Sequence, residues 1–284
     1  MKVLTNGYYE DPLNLLSYCM RFPGNENSSL PSWVPDWRQP ILNPLSSLGG
    51  QDKEGRYNRD NGNSDGNISI DVEEDGKCIL TLFGDQYGKV VSCGHVYPRL
   101  PAHSEQKHVE LLKTWLEQFY VLSATGSPAL SSAVARHEAV YRSAIADWEF
   151  GGLQSRLRRA EGESRLGYEI LAGLKRVPQD MSLQEQTAWV IEQTRKYRHA
   201  LGWSAPKRKA FVTSEGRLGL GPESMIAGDS IVTINGCNVP FALRKEGQRY
   251  SIIGEIYVNG IMDCEERREW GPNVFPVLEE FQIC

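Results

Sequence analysis

The stretch from Lys209 to Cys264, KAFVTSEGRLGLGPESMIAGDSIVTINGCNVPFALRKEGQRYSIIGEIYVNGIMDC, decides the fold. Short apolar runs alternate there with Gly, Asn and Asp breaks. Ile231-Val232-Thr233-Ile234 is β-branched throughout, Asn235-Gly236 follows, and Val239 to Leu243 is apolar again. An Asn-Gly pair between two such runs predicts a hairpin, because both turn residues must take positive φ. Glu246-Gly247 makes the next reversal, and Tyr250 to Val258 reads as another strand. The result is an antiparallel meander. Pro240 has no N–H for a ladder, so its strand is expected to lie at an edge or carry a bulge.

Working outward, Ile68-Ser69-Ile70-Asp71-Val72 alternates with period two, Glu74-Asp75-Gly76 turns the chain, and Cys78 to Phe83 returns. Lys89 to Cys93 forms a further strand. Between the strand blocks, residues 68–93 and 209–262, the pattern is helical. Val109, Leu112, Leu116, Phe119 and Leu122 share one stripe. Ser127-Pro128 reads as an N-cap with proline at the first position. Leu130, Val134, His137, Tyr141, Ile145 and Trp148 then recur at spacings of three and four. Residues 163–175 predict a shorter helix, and Ser182-Leu183-Gln184-Glu185 is a capping box opening a helix that ends near Leu201-Gly202. Arg156, Arg158 and Arg159 read as a solvated helix face.

Upstream, Asp11-Pro12 suits the start of a short helix burying Leu13, Leu16 and Met20. Pro31, Pro35 and Pro40 forbid a helix around Trp33 and Trp37, leaving a stiff segment that plants two indoles. Residues 49–66 hold one apolar side chain, Tyr57, and read as a long mobile loop. The expected fold class is α+β: one domain over residues 1–284, with an antiparallel sheet or small barrel built from both strand blocks. A four-helix insertion, residues 104–201, packs on one side.

A resemblance runs through the same stretch. Phe211-Val212-Thr213, Gly216, Leu218 to Pro222, Gly228-Asp229, Pro240-Phe241, Leu243-Arg244 and Gly254 to Met262 together resemble the C-terminal part of fungal heterokaryon-incompatibility (HET) domain proteins. Leu30-Pro31-Ser32-Trp33-Val34-Pro35-Asp36-Trp37 is similar to the motif that follows the effector domain in that family. Cys264-Glu265 departs from the Gly-Glu common there. The effector half would precede the Leu-Pro-Ser-Trp motif, and about thirty residues precede it in this sequence.

At 284 residues, 40% hydrophobic and 24% charged, the composition is that of a globular protein able to bury a core. A net charge of −5 argues against a nucleic-acid surface. No run is long enough to span a bilayer, and the first residues carry no secretory signal, so the expectation is cytoplasmic. Without that signal the glycosylation sequons at Asn27 and Asn67 read as chance matches. Cys19, Cys78, Cys93, Cys237, Cys264 and Cys284 show no metal-type spacing and read as reduced thiols.

No nucleophile elbow, zinc motif, Walker loop or dinucleotide fingerprint is present, so no metal or nucleotide cofactor is implied. His137 lies on an apolar helix face and reads first as a core histidine. The site candidates are polar residues within apolar strands. Tyr257, Arg244 and Glu255 are the candidate catalytic groups; Trp33, Trp37, Arg217, Phe241, Asn259 and Met262 are candidates for lining a substrate pocket at a barrel mouth. Alternation puts Glu255, Tyr257 and Asn259 on one face, opposite Ile256 and Val258. The competing reading is structural: a polar row, or a buried Arg–Glu pair fixing the barrel.

Two functions follow. One is a cofactor-independent cyclase or isomerase of fungal natural-product biosynthesis, for instance an intramolecular Diels–Alder catalyst. It would hold a small hydrophobic terpenoid or polyene in a reactive pose by orientation and hydrogen bonds. The other, implied by the resemblance, is a non-catalytic recognition or regulatory protein of fungal non-self recognition, with a protein partner.

Overall fold

The computed structural model describes residues 12–23, 30–45, 68–99, 104–125, 130–151, 156–263 and 278–284. The loop expected over residues 49–66 lies outside them, as do Asp11, Ser127 and Cys264.

Eleven strands and four α-helices form among the described residues. The strands are β1 Ser69–Val72, β2 Cys78–Val96, β3 Trp148–Gly151, β4 Arg156–Arg159, β5 Arg208–Thr213, β6 Leu218–Pro222, β7 Ser230–Ile234, β8 Phe241–Glu246, β9 Arg249–Glu255, β10 Tyr257–Val258 and β11 Glu279–Ile283. The helices are α1 Glu105–Ser123, α2 Ala133–Ala144, α3 Arg165–Leu171 and α4 Leu183–Ser204. The fold is α+β, and both strand blocks enter one nine-stranded, mostly antiparallel sheet.

Its pairings close a ring. β2 is one long bent strand rather than the two shorter ones expected. Its first half pairs with β11, its middle with β7 and its second half with β5. Register shifts at Gln86/Gly88 and Val90/Ser92 let it bend from one partner to the next. From β5 the pairing runs to β6 and β10; from β7 it runs to β8 and β9. Since β9 passes into β10 across the single residue Ile256, the sheet returns on itself as a barrel. β11 bridges the first half of β2 to the start of β9, there with one parallel pair, Ile283 to Tyr250. Closure leaves few unpaired edges.

One apolar cluster takes Val90 from β2, Phe211 from β5, Ile231 from β7, Ala242 from β8, Ile253 from β9 and Val258 from β10, with Ile256, Met225 and Ile261. Side chains from around a ring meet in one cluster only inside it, so this is the barrel interior. β6 contributes glycines: a Cβ on Gly219 would stand 2.5 Å from the Tyr257 carbonyl oxygen and collide with the Phe211 ring. The larger cluster joins the other strand faces, among them Ala210, Val212, Leu218, Leu220 and Tyr257, to Leu112, Trp115, Leu116, Phe119, Tyr141, Tyr197 and Leu201 of the helices.

Three expectations need correction. The second helix starts after Ser132, whose hydroxyl accepts from the Ala135 amide, not at Ser127-Pro128. It ends at Ala144, because Ala146 and Asp147 take φ of 48° and 57° and reverse the chain. Trp148 therefore opens β3, and Arg158 and Arg159 lie on β4 instead of a helix face. Asp147 anchors that reversal through Arg142 at 2.5 Å and Arg159 at 2.5 Å. The capping box of α4 forms, with Ser182 and Glu185 bonding each other's backbone.

Candidate functional site

The nine residues picked from the sequence are engaged in contacts with their own neighbours. Phe241 and Met262 are each 1% exposed, and the Val258 amide donates to the Met262 sulfur at 3.4 Å. Tyr257 is buried, and its hydroxyl donates to Asn259 Oδ1 at 3.3 Å. Arg217 donates to the Gly260 carbonyl at 3.1 Å and lies over the Tyr87 ring. Arg244 forks onto Asp229, both contacts at 2.9 Å, and also donates to the Ser224 carbonyl. Trp33 is half-buried on the core and directs its indole N–H at the Cys78 carbonyl, 3.4 Å away. Trp37 is 60% exposed beside Tyr18.

Glu255 is fully buried and holds a node of the fold. Its Oε1 accepts from Arg208 Nη2 at 3.1 Å and from the Leu45 amide. Arg208, 1% exposed, also donates to the Ser204 carbonyl at 2.7 Å and the Asn43 carbonyl at 3.0 Å. The pair thus ties β9, the end of α4 and the segment after the Trp motif. Ser32 in that motif has a similar task. Its amide donates to the Cys284 carbonyl at 2.9 Å, and its hydroxyl accepts from the Ile252 amide at 3.0 Å. The Leu-Pro-Ser-Trp segment therefore locks β9 to the C-terminal strand, a role that sequence reasoning gave to neither Ser32 nor Arg208.

Trp37 borders a small pocket with Tyr18, Met20 and Phe22, and a larger open space lies among the helices. A cavity of about 440 Å³ is lined by Lys113, Leu116, Glu117 and Tyr120 of α1, His137 of α2, and Tyr168, Leu171, Ala172 and Gly173 at α3. None of the nine sequence candidates borders it. His137 Nδ1 is 2.7 Å from the Tyr168 hydroxyl, and the imidazole stacks on Tyr120 with centroids 4.3 Å apart. Burial, then the nearby Arg136 charge, lowers the His137 pKa, so the ring stays neutral at pH 7. Behind it Tyr168, Tyr141 and Tyr197 pack ring to ring at 5.5–5.7 Å.

That wall is fixed by Glu149, whose carboxylate is fully buried. It accepts the Ser164 hydroxyl at 2.7 Å, the Tyr141 hydroxyl at 3.1 Å, and the amides of Glu161, Gly162, Glu163 and Ser164. Burial pushes its pKa up, but the Ser164 hydroxyl and these amides outweigh burial and hold it below the ordinary value. Burial pushes the Cys19 thiol up to about 12 and raises that of Cys93, which disfavours the thiolate at both. Among the described residues no group of three or more His, Cys, Asp and Glu side chains is placed to hold a metal, and no helix is long and apolar enough to cross a membrane.

The filled barrel defines the class. Residues 173–270 match the Het-6 beta-barrel domain, so the C-terminal part of this chain is a HET-like barrel, as the motifs imply. A 62-residue stretch is 36% identical to "Heterokaryon incompatibility protein 6, OR allele" of Neurospora crassa, covering 20% of this chain and 9% of that protein. No solved structure matches. The matched residues hold α4 and β5 to β10; β2, β11 and Ser32, which complete the ring, come from outside them.

Proposed function

We propose that this chain is a non-catalytic recognition or regulatory protein of fungal non-self recognition. The observation that carries the reading is the Het-6 beta-barrel match over residues 173–270, on a barrel whose interior is packed with its own side chains. Support also comes from the relative named for heterokaryon incompatibility. A barrel filled by Phe211, Ile231, Ile253 and Val258 presents surfaces and loops to a partner rather than a chamber to a substrate. The cyclase reading rested on a mouth lined by Tyr257, Arg244 and Glu255. These side chains are engaged with Asn259, Asp229 and Arg208 instead.

The test is expression of the full chain in a set of fungal tester strains, scoring death of compartments after hyphal fusion. The reading expects the chain to trigger, or to suppress, incompatibility with some testers and not others. Normal fusion with every tester, together with turnover of a polyene or terpenoid by the purified chain, would overturn it.

A further inference from the structure

The 440 Å³ cavity among α1, α2 and α3 is large enough for a small organic ligand, since such sites usually measure roughly 300–1,000 Å³. Its floor is apolar, built by Leu116, Leu171 and Ala172. Its polar groups are spare. The second nitrogen of His137, the Tyr120 hydroxyl, the Lys113 ammonium and the Glu117 carboxylate have no hydrogen-bond partner among the described residues. The Tyr168 hydroxyl, by contrast, is engaged by His137 Nδ1 and fixes the imidazole. An imidazole clamped at one nitrogen and open at the other is pre-oriented for a ligand.

Charge and shape narrow the ligand. Lys113 and Glu117 stand one helical turn apart and cancel, and His137 is neutral at pH 7, so the lining has no net charge. A neutral molecule therefore suits it better than an anion or a cation. Hydroxyl groups can donate to Glu117 and accept from Lys113. A flat ring system can cover Leu116 and Leu171 beside the Tyr120–His137 stack. We propose that this cavity is a binding site for a neutral, hydroxylated aromatic small molecule, held by Glu117, Tyr120 and His137. The site is separate from the barrel and stands whether or not the barrel docks a protein.

Titration calorimetry of the full chain with naringenin, a neutral polyhydroxylated aromatic, tests this, with 2-naphthoate as an anionic comparison. Naringenin should bind and 2-naphthoate should bind at least tenfold more weakly. Ala172→Phe, at a half-buried position of that floor, fills the space and should abolish binding. Glu117→Ala and Tyr120→Phe each remove one hydrogen bond and should weaken it about five- to tenfold. Both positions are exposed or half-exposed, so the thermal melt of these variants should match the parent and confirm that folding is intact. A flat naringenin titration, binding unchanged in Ala172→Phe, or tighter binding of 2-naphthoate would each overturn the assignment.

Discussion

Replacing Glu255 by alanine removes the acceptor from the buried node at the end of α4. Arg208, 1% exposed, would keep the Ser204 and Asn43 carbonyls but lose its carboxylate, and the Leu45 amide would lose its acceptor. Breaking one side of a buried ion pair costs about 3–5 kcal/mol, because the remaining charge stays desolvated. That is a large part of the roughly 5–15 kcal/mol that holds a domain folded. At roughly 2–4 °C per kcal/mol for a chain near this size, Tm should fall by about 10 °C. The same node makes a second demand. Arg208→Met combined with Glu255→Leu removes both charges and should recover more than half of that loss. The assay is thermal unfolding followed by circular dichroism for parent, single and double variants. A Glu255→Ala melt within about 2 °C of the parent would refute the reasoning, as would a double variant less stable than the single one.

Four further outcomes follow from the other buried contacts. Arg244→Ala leaves Asp229 without its fork and should destabilise by about 1–3 kcal/mol in a urea melt, whereas Tyr257→Phe loses one 3.3 Å hydrogen bond and should cost about 1 kcal/mol or less. Glu149 has a folded pKa below its ordinary value of 4.5, so its stabilisation is present above that pH and is lost as pH falls through the folded value; Glu149→Gln should therefore flatten the acid limb of the stability profile below pH 4.5, and an unchanged slope there would contradict the assignment. Ser32→Ala removes the acceptor for the Ile252 amide and should destabilise by about 1–3 kcal/mol, with faster amide exchange at Ile252.

The meander was legible because each strand carries its own signal: a β-branched run, a glycine turn and a return. The capping box at Ser182 was legible because both partners lie within one turn. The β3–β4 hairpin was hidden. The spacing of Tyr141, Ile145 and Trp148 continues a helical period that the backbone breaks at Ala146 and Asp147, and the anchors of that break, Arg142 and Arg159, are tertiary contacts. β11 escaped notice because only Phe281 and Ile283 of its five residues are buried, too short an alternation to stand out. Ring closure depends on which strands become neighbours, and no local pattern states that β5 and β7 flank the same bent strand.

The site was less legible than the fold. Polar residues inside apolar strands mark either a pocket or a buried bond, and sequence shows only the polarity. Arg208 and Glu255 lie 47 positions apart, so the partner that makes Glu255 structural was out of view. His137 read as a core histidine because it sits on an apolar stripe. The cavity that His137 borders exists only where α1, α2 and α3 converge.

Amide hydrogen exchange along the strands tests most directly the central claim, that the barrel is closed and filled. The decisive amides sit at the two seams: Ile256, which donates to the Pro240 carbonyl, and Asn259, which donates to the Leu218 carbonyl, on one side, and Val90, which donates to the Asp229 carbonyl, on the other. A closed, dry ring predicts that all three exchange with the slowest group, at the free energy of global unfolding. Exchange at Ile256 and Asn259 much faster than at Val90 would show a ring that opens between β6 and β9, and would contradict the account.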